Sequence, residues 1–445
     1  MEKFKRTKTC GELRASDAGT EQVLNGWVQR KRDHGGISFI DLRDRYGITQ
    51  IVVDESADSE LAAVTPELRS EYCIAVKGVA RLRPDSMKNT EMPTGDVELL
   101  ADKIVVLNKC ALLPFQIEDK PSAKDELRIK YRYLDMRGDF MQKRIRLRSE
   151  LTFAVREWMY AHGFYEIETP TFIRSTPEGA RDYLVPSRLY AGRFYALPQS
   201  PQLYKQLLMV AGFDKYFQIA RCYRDEDSRG DRQPEFTQID IEMSFVSRDD
   251  VLKMTEGLFG YIFKKCLNVK LPEVFPRISY DEAMESYGTD KPDLRYDMKL
   301  QDFSDFAAES SFEAFKAVLA SGGAVKAIVV TGGASYSRKQ IEELEARAKI
   351  YKAKGLAWVK VAGADEQPVF EGGVAKFFAT KFFAEKSAAV TKTLGAKTGD
   401  LILIVADSSR RVANVSLGAV RSKLGNDLGL NDSSKFSFVW VVDFP

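Results

Sequence analysis

The stretch from residue 217 to 245, FQIARCYRDEDSRGDRQPEFTQIDIEMSF, constrains the fold more than any other part of this chain. Its two apolar-rich halves flank a charged loop, which predicts two β-strands joined as a hairpin. Alternate residues of a strand point to opposite faces. On the return strand, one face carries Thr237, Ile239, Ile241, Met243 and Phe245, and the other carries Phe236, Gln238, Asp240, Glu242 and Ser244. The first set is predicted to face the core.

The outgoing strand shows the same division between its two faces. Gln218, Ala220, Cys222, Arg224 and Glu226 share one face, and the larger apolar side chains Phe217, Ile219 and Tyr223 lie on the other. A sheet face with this many charges indicates either a bound ligand or a solvated surface. The charged loop between the strands favours the ligand.

Nucleotide binding is the chemistry that these side chains suit. The guanidinium of Arg224 matches phosphate oxygens, and the ring of Phe236 offers a surface for a base. Glu226 can accept a hydrogen bond from an exocyclic amine, and Asp240 can orient a lysine. The stretch contains no histidine, which favours a reaction in which the protein supplies position and charge rather than an imidazole base.

The runs Y-R-D-E-D and R-Q-P-E-F-T-Q-I-D-I-E resemble motif 2 of the class II aminoacyl-tRNA synthetases. Upstream, R-S-T-P-E-G-A-R-D-Y-L-V-P-S-R and A-L-P-Q-S-P-Q-L-Y-K-Q-L-L resemble the aspartyl-tRNA synthetases of the bacterial type. The resemblance covers nearly the whole chain. It implies ATP-dependent activation of L-aspartate, transfer to the aspartate tRNA, use of Mg²⁺, and a homodimer built on motif 1.

The resemblance also assigns the site residues. The aspartate-binding set is Glu178, Gln202, Lys205, Arg224 and Asp240; the ATP-binding set is Arg224, Asp225, Glu226, Gln233 and Phe236, with Arg224 also the catalytic residue. Ser200 and Pro201 suit the N-cap and first position of a helix, which places Gln202 and Lys205 on one helix face. Without the matching runs, those two side chains would be ordinary surface residues.

Composition describes a soluble globular protein of about two to four domains: 445 residues, 44% apolar and 29% charged. The net charge of +2 neither requires nor excludes a nucleic-acid partner. Five scattered cysteines without C-x-x-C pairs, and only two histidines, predict no zinc site and a cytoplasmic location. No apolar run reaches the length of a membrane span, so no membrane association is expected.

The first domain, residues 1–110, is predicted to be an OB-fold barrel. Its strand-like segments are Gln22–Arg30, Ile37–Leu42, Ile48–Asp54, Ile74–Leu82 and Val97–Leu107, with a helix near Ser59–Tyr72 between the third and fourth. Basic side chains beside an aromatic ring can hold phosphate while an unpaired base stacks. The resemblance makes this the anticodon-binding domain, with Arg32, His34, Phe39 and Gln50 as binding residues.

His34 has two interpretations. A histidine at this position of R-D-x-G is associated with family members that accept both the aspartate and the asparagine tRNA. An ordinary surface-loop histidine is the alternative, and the sequence leaves both open.

The remaining chain divides into four predicted segments. Residues 111–145 form a basic linker that is either a solvated helix face or a holder of tRNA backbone. Residues 146–288 form the class II catalytic domain with motifs 1 and 2, in which the sheet is antiparallel. Residues 289–435 alternate helices and strands and resemble the inserted α/β domain of bacterial aspartyl enzymes. Residues 436–445 return to the catalytic domain.

Family members continue beyond the equivalent of Pro445 into motif 3, which also carries acidic magnesium ligands. We therefore expect a C-terminally incomplete chain that is inactive alone, with no metal ligand assignable in it. A noncatalytic tRNA-binding protein is the alternative, and continuation of the reading frame past Pro445 would separate the two. A sister synthetase for asparagine or lysine is disfavoured by the insertion and by the TPEGARDYL run.

Overall fold

The computed structural model describes residues 4–56, 58–118, 122–176, 178–227, 230 and 232–445. Contacts between residues divide the chain into two compact units, Met1–Glu157 and Trp158–Pro445. Pro177, in the predicted substrate loop, lies outside the described residues. Within the described ranges, no helix is both long enough and apolar enough to cross a bilayer.

The first unit contains a closed five-stranded barrel. Its strands are β1 (Glu21–His34), β2 (Ile37–Asp44), β3 (Gly47–Asp54), β4 (Cys73–Leu82) and β5 (Val97–Asn108), in the order β1-β2-β3-β5-β4. Its helices are α1 (Ser59–Val64), α2 (Asp125–Lys130), α3 (Arg132–Asp135) and α4 (Asp139–Ala161). The predicted OB-fold is confirmed.

Alternation along the strands builds the barrel core. On β2, Ile40 and Leu42 are fully buried, whereas their neighbour Asp41 is only half-buried. Between β1 and β2 the chain turns through Gly35 and Gly36, whose φ angles of 57° and 88° suit a two-residue hairpin turn. The predicted helix at 59–72 is shorter in the structure.

That helix, α1, ends at Val64 and is followed by a 3₁₀ turn, Thr65–Glu67. Pro66 lacks a main-chain N–H and cannot continue the α-helical hydrogen bonds, which explains the early end. After α4, the short strand Tyr165–Glu166 pairs in parallel with Tyr216–Phe217.

The second unit contains two larger sheets and several short strand pairs. Its strands are β6 (Tyr165–Glu166), β7 (Leu184–Pro186), β8 (Phe194–Ala196), β9 (Lys215–Tyr223), β10 (Glu235–Met243), β11 (Arg277–Ser279), β12 (Gln301–Asp302), β13 (Ala324–Val330), β14 (Ala357–Ala364), β15 (Gln367–Glu371), β16 (Leu401–Asp407) and β17 (Trp440–Val442). Its helices are α5 (Gln202–Val210), α6 (Arg248–Leu267), α7 (Tyr280–Tyr287), α8 (Ser304–Ala308), α9 (Glu313–Ala320), α10 (Arg338–Ile350), α11 (Lys381–Leu394) and α12 (Arg410–Asp427).

The predicted hairpin is β9 paired antiparallel with β10, in a three-stranded sheet of order β10-β9-β6. The prediction of which face is buried was partly wrong. Ile239 is 38% exposed and Phe245 is 99% exposed, although both were assigned to the core face. Strand β10 ends at Met243, and Phe245 has a positive φ of 57°, so it no longer belongs to the strand. On the polar face, Asp240 is only 7% exposed.

The segment between α7 and β17 folds around a five-stranded sheet of order β12-β13-β16-β14-β15. The predicted alternation of helices and strands is present, but every pairing in this sheet is antiparallel. Helix α12 and helix α10 pack on one side of the sheet and α11 on the other. Strand β17 then pairs in parallel with β11.

Candidate functional site

The register of β9 and β10 gathers polar side chains on one face of the hairpin. Gln218 lies directly opposite Asp240, and Tyr216 lies opposite Glu242. Directly opposite residues of an antiparallel pair have their side chains on the same face and within contact distance. This face is the candidate active site.

Lys205 reaches this face from helix α5. Its Nζ lies 3.0 Å from Asp240 Oδ1 and 3.3 Å from Glu242 Oε2. The lysine and aspartate side chains are only 12% and 8% exposed, so this is a largely buried pair. Burial raises the pKa of Asp240, and the hydrogen bond from Lys205 opposes that rise.

Asp240 has one oxygen engaged and one left over. Oδ1 accepts the lysine hydrogen bond, whereas the buried Oδ2 has no partner in the described part of the chain. A buried carboxylate oxygen without a donor is unfavourable unless a ligand satisfies it. Asp240 Oδ2 can therefore accept a hydrogen bond from a ligand bound on this face.

Beneath this pair lies a hydrogen-bonded group that the sequence analysis did not identify. The hydroxyl of Tyr216 donates to Gln218 Oε1 at 2.8 Å, and the hydroxyl of Thr169 donates to the same oxygen at 3.0 Å. Tyr216 is fully buried, which raises the pKa of its hydroxyl and keeps it protonated as a donor. With its oxygen occupied twice, the Gln218 amide is held in one orientation.

The loop before β7 is tied to the start of α5. Ser200 Oγ donates to Glu178 Oε2 at 2.7 Å and accepts from the main-chain N–H of Gln202 at 3.3 Å. Helix α5 begins at Gln202 with Pro201 as its N-cap residue, one position later than predicted. Ser200 still satisfies one N–H of the first turn. Glu178 and Gln202 are thereby brought to the same end of the site as Lys205.

Gln199 fixes this loop and was missed by the sequence analysis. It is 1% exposed, and its amide exchanges two hydrogen bonds with the main chain of Ala180, at 2.9 and 3.1 Å. It also donates to Asp182 Oδ1 at 2.5 Å. The only sequence signal was its position in the run A-L-P-Q-S-P-Q.

Arg224 and Phe236 lie together at the end of the hairpin where the loop joins its two strands. The guanidinium carbon of Arg224 is 5.0 Å from the centre of the Phe236 ring, a cation–π arrangement that also fixes the arginine. Arg224 Nε is buried without an acceptor among the residues described. A phosphate oxygen would supply that acceptor.

The other predicted ATP-binding residues lie on the loop beyond Arg224. Asp225 forms an isolated β-bridge with Arg181, and its main-chain N–H donates to the Arg181 carbonyl at 3.0 Å. Glu226 Oε2 lies 3.4 Å from Arg232 Nη1, and Gln233 is exposed. Asp225, Glu226 and Gln233 thus belong to the loop that joins the two strands of the hairpin.

Cys222 marks the centre of this group. Its thiol is fully buried and donates to Gln238 Oε1 at 3.2 Å. Burial, then the charge of Asp240, raises the pKa of Cys222 to about 11, and the charges of Arg224, Glu178 and Lys205 also act on it. The structure thus brings four predicted charged residues around one thiol.

In the first unit, the four predicted anticodon residues line one groove of about 740 Å³ on the barrel. The guanidinium of Arg32 lies 3.0 Å from Asp41 Oδ1 and 3.3 Å from Gln50 Oε1. Gln50 in turn donates to Glu98 Oε2 at 2.9 Å. The ring of Phe39 is half-buried and lies edge-on to His34, with 6.2 Å between ring centres.

The sequence analysis missed one buried arginine of this groove. Arg83 lines it, is 5% exposed and has a buried Nη2 without an acceptor in the described part of the barrel. Burial lowers the pKa of Arg83. Glu98, the partner of Gln50, accepts a second hydrogen bond, from Arg81 Nε to its Oε1, at 2.7 Å. The groove offers donors, acceptors and an aromatic ring, which suits an unpaired base.

The described residues contain no group of three or more His, Cys, Asp or Glu side chains that could hold a metal ion. The side chains of the candidate active site therefore do not by themselves form a magnesium cage.

Two family models match the chain. The model described as class II tRNA synthetases (D, K and N) matches residues 124–445, and the model described as an OB-fold nucleic-acid-binding domain matches residues 23–107. Solved structures support the fold. An asparaginyl-tRNA synthetase from Pyrococcus horikoshii gives a TM-score of 0.55 at 19% identity, covering 94% of this chain and 96% of that one. An aspartyl-tRNA synthetase from Entamoeba histolytica gives a TM-score of 0.53 at 17% identity, covering 98% of this chain and 93% of that one.

Relatives match along the whole chain. The protein named aspartate–tRNA(Asp/Asn) ligase of Treponema denticola is 63% identical, over 100% of this chain and 74% of its own length. The protein of the same name from Treponema pallidum is 52% identical, over 100% of this chain and 73% of its own length. The aspartate–tRNA ligase of Macrococcus caseolyticus is 50% identical, over 99% of this chain and 73% of its own length. This chain belongs to the class II aminoacyl-tRNA synthetases.

Proposed function

We propose that the protein is an aspartate–tRNA ligase that activates L-aspartate with ATP and transfers the aspartyl group to tRNA. The buried Lys205–Asp240 pair is the observation that carries this proposal, together with relatives of that name at 50–63% identity. The ammonium of Lys205 pairs with the side-chain carboxylate of aspartate. Asparagine carries no charge there, so it gains less from the same lysine.

In the first step, the α-carboxylate of aspartate attacks the α-phosphorus of ATP. The bond to pyrophosphate breaks, and aspartyl-adenylate forms. In the second step, a hydroxyl of the terminal ribose of tRNA attacks the aspartyl carbonyl and AMP leaves. Neither step needs a histidine, because the attacking groups belong to the substrates. In the proposed mechanism, ATP binds with Mg²⁺, which supplies positive charge to the phosphates when bound.

Arg224 stabilises the charge that grows on the α-phosphate. Its guanidinium is held by Phe236, and its Nε has a free hydrogen, so it can meet the phosphate without rearrangement. Glu178 binds the substrate ammonium with Gln202, and Phe236 with Glu226, Gln233 and Asp225 binds the nucleotide.

Aspartate-dependent exchange of pyrophosphate into ATP tests the activation step, using protein expressed from its native reading frame. Arg224→Ala is expected to reduce the exchange rate on the order of 10²-fold or more. Arg221→Ala is the matched control. Arg221 is on β9, three residues before Arg224, and its side chain is on the other face of the hairpin, where it pairs with Glu235 at 2.8 Å.

Equal rates for Arg224→Ala and Arg221→Ala would remove Arg224 from the mechanism. Absence of exchange in the unmodified protein, with tRNA binding retained, would replace the proposed enzyme by a noncatalytic tRNA-binding protein.

We further propose that the barrel groove binds the anticodon and that the protein charges both the aspartate and the asparagine tRNA. Arg32, His34, Phe39 and Gln50 share the groove, and relatives carry names that include both tRNAs. Charging of the two purified transcripts under identical conditions is the test. Comparable efficiencies are expected, and a large preference for the aspartate tRNA would contradict dual charging.

A further inference from the structure

A second cavity, of about 280 Å³, lies within the first unit, between the barrel and the first turns of α4. We call it the arginine cavity, because four arginines contribute to its lining: Arg43, Arg45, Arg137 and Arg146. Neither the predicted anticodon set nor the active site includes any of them.

Three carboxylates also line the arginine cavity, but two of them already have a cation beside them. Asp44 is buried, accepts hydrogen bonds from three main-chain N–H groups at 2.7, 3.0 and 3.1 Å, and lies 3.7 Å from Arg6 Nη1, whose charge offsets its own. Asp139 pairs with Lys143 at 2.5 Å. Glu91, at the exposed edge, is the third.

The arginines keep more positive charge than these carboxylates cancel. Arg43 and Arg137 share one buried carboxylate, Glu71, at 2.7 and 2.8 Å, so two positive charges meet one negative charge. Arg43 Nη1 has no acceptor in the described part of this unit. Arg146 is exposed, and its Nη2 donates to the Arg45 carbonyl at 3.2 Å. The balance favours an anion.

A phosphate group suits the arginine cavity better than a nucleobase does. Tyr46 lines the cavity, but its ring already has the guanidinium of Arg45 at 4.6 Å and that of Arg6 at 5.8 Å. Its ring is thus engaged by cations rather than open for stacking. Guanidinium groups around a small opening match phosphate oxygens.

The arginine cavity adjoins the anticodon groove, because Met92 lines both. An RNA strand whose unpaired bases occupy the groove is therefore within reach of the arginines on the other side of Met92. We propose that the arginine cavity binds a backbone phosphate of the tRNA whose anticodon loop lies in the adjoining groove. This inference rests on the proposed tRNA-binding function of the barrel.

The test is an equilibrium binding measurement with the full chain and tRNA transcripts at several salt concentrations. Arg146→Gln is the variant, because the exposed side chain can be changed without disturbing the buried Glu71 group. Arg144→Gln is the matched control: Arg144 is on the same helix, and its guanidinium lies 3.9 Å from the Phe140 ring, outside the cavity.

Arg146→Gln is expected to weaken tRNA binding about three- to tenfold and to reduce the slope of log K against log salt by roughly 0.7 to 1. The loss should be the same for transcripts with native and altered anticodons, because a phosphate contact carries no sequence information. Phe39→Ala should instead reduce the difference between these transcripts. Gln29→Glu, which adds negative charge to the cavity lining, should weaken binding like Arg146→Gln.

Equal binding by Arg146→Gln and Arg144→Gln, or a loss that depends on the anticodon, would overturn the phosphate assignment while leaving the tRNA-binding function intact. Stabilisation of the unmodified protein by inorganic phosphate, lost in Arg146→Gln without a change in tRNA binding, would assign the cavity to a free anion and also overturn it. Failure of the unmodified protein to bind any transcript would instead refute the proposed function itself.

Discussion

The carboxylate of Glu285 is predicted to stabilise the folded protein to an extent that depends on pH. On helix α7, its carboxylate accepts from Arg410 Nε at 2.7 Å, from Lys326 Nζ at 2.7 Å and from Asn414 Nδ2 at 3.0 Å. Lys326 is on β13 and is 3% exposed, and the other two partners are on α12. One carboxylate thus joins α7 to the five-stranded sheet and its longest helix.

The hydrogen bonds from Arg410, with those from Lys326 and Asn414, lower the pKa of Glu285 from 4.5 to about 2. At about 1.4 kcal/mol per pKa unit, that shift corresponds to roughly 3 kcal/mol. The side chain is 37% exposed, however, so solvent screening reduces the value. We expect Glu285 to contribute about 1 to 2 kcal/mol to the free energy of unfolding at pH 7.

The sign of the pH dependence follows from the direction of the shift. Because the pKa is lower in the folded than in the unfolded state, the contribution is fully present above pH 4.5 and is lost as the pH falls toward 2. Glu285→Gln should therefore be destabilised at pH 7, and the difference from the unmodified protein should shrink between about pH 5 and pH 3.

Urea unfolding at pH 7, 5, 4 and 3 measures this difference. Glu282→Gln is the matched control, since Glu282 is on the same helix but exposed, and its change should stay within about 0.5 kcal/mol. A Glu285→Gln destabilisation that is the same at pH 3 as at pH 7 would show that packing, and not the charge, carries the effect. No difference between the two variants at pH 7 would refute the reasoning altogether.

Two further changes test how the second unit is held together. Glu256 is buried and accepts hydrogen bonds from the Trp440 indole N–H at 2.9 Å and from the Phe275 main-chain N–H at 3.0 Å. Glu256→Ala should therefore lower the free energy of unfolding by about 2 to 4 kcal/mol and shift tryptophan emission to longer wavelength. Unchanged emission would contradict the link between Glu256 and β17. A Cβ at Gly418 would lie 2.5 Å from the carbonyl oxygen of Tyr287 at the end of α7. Gly418→Ala should therefore destabilise the folded protein by about 1 to 3 kcal/mol, measured by thermal unfolding. Gly260→Ala is the control and should not destabilise the protein, because no neighbouring atom lies within 4 Å of the new Cβ.

The sequence predicted the elements whose signals are local. The five barrel strands follow period-2 alternation bounded by turn residues, and each predicted segment lies within a few residues of the observed strand. The start of α5 was one residue off, because two adjacent residues, Ser200 and Pro201, both suit the cap. These features depend on neighbours along the chain.

The contacts that were missed depend on residues far apart in sequence. Thr169 meets Gln218 across 49 positions, and Gln50 meets Glu98 across 48. The sequence around a glutamine in an apolar strand does not indicate which hydroxyl group will donate a hydrogen bond to its side-chain oxygen. The roles given to Glu178, Lys205 and Asp240 came from resemblance to a family, and the structure adds the 3.0 Å contact between Lys205 and Asp240.

The hairpin face that the sequence labelled as polar is the more buried one around Asp240, while Ile239 on the apolar face is 38% exposed. Stability alone does not select that arrangement, because burying the Lys205–Asp240 pair removes two charges from water and leaves one carboxylate oxygen unsatisfied. A site that must recognise a small charged substrate does select it. Water competes poorly there, and the charges are in place before the substrate arrives. The local conflict between pattern and burial is therefore what the proposed aspartate-binding role of this face predicts.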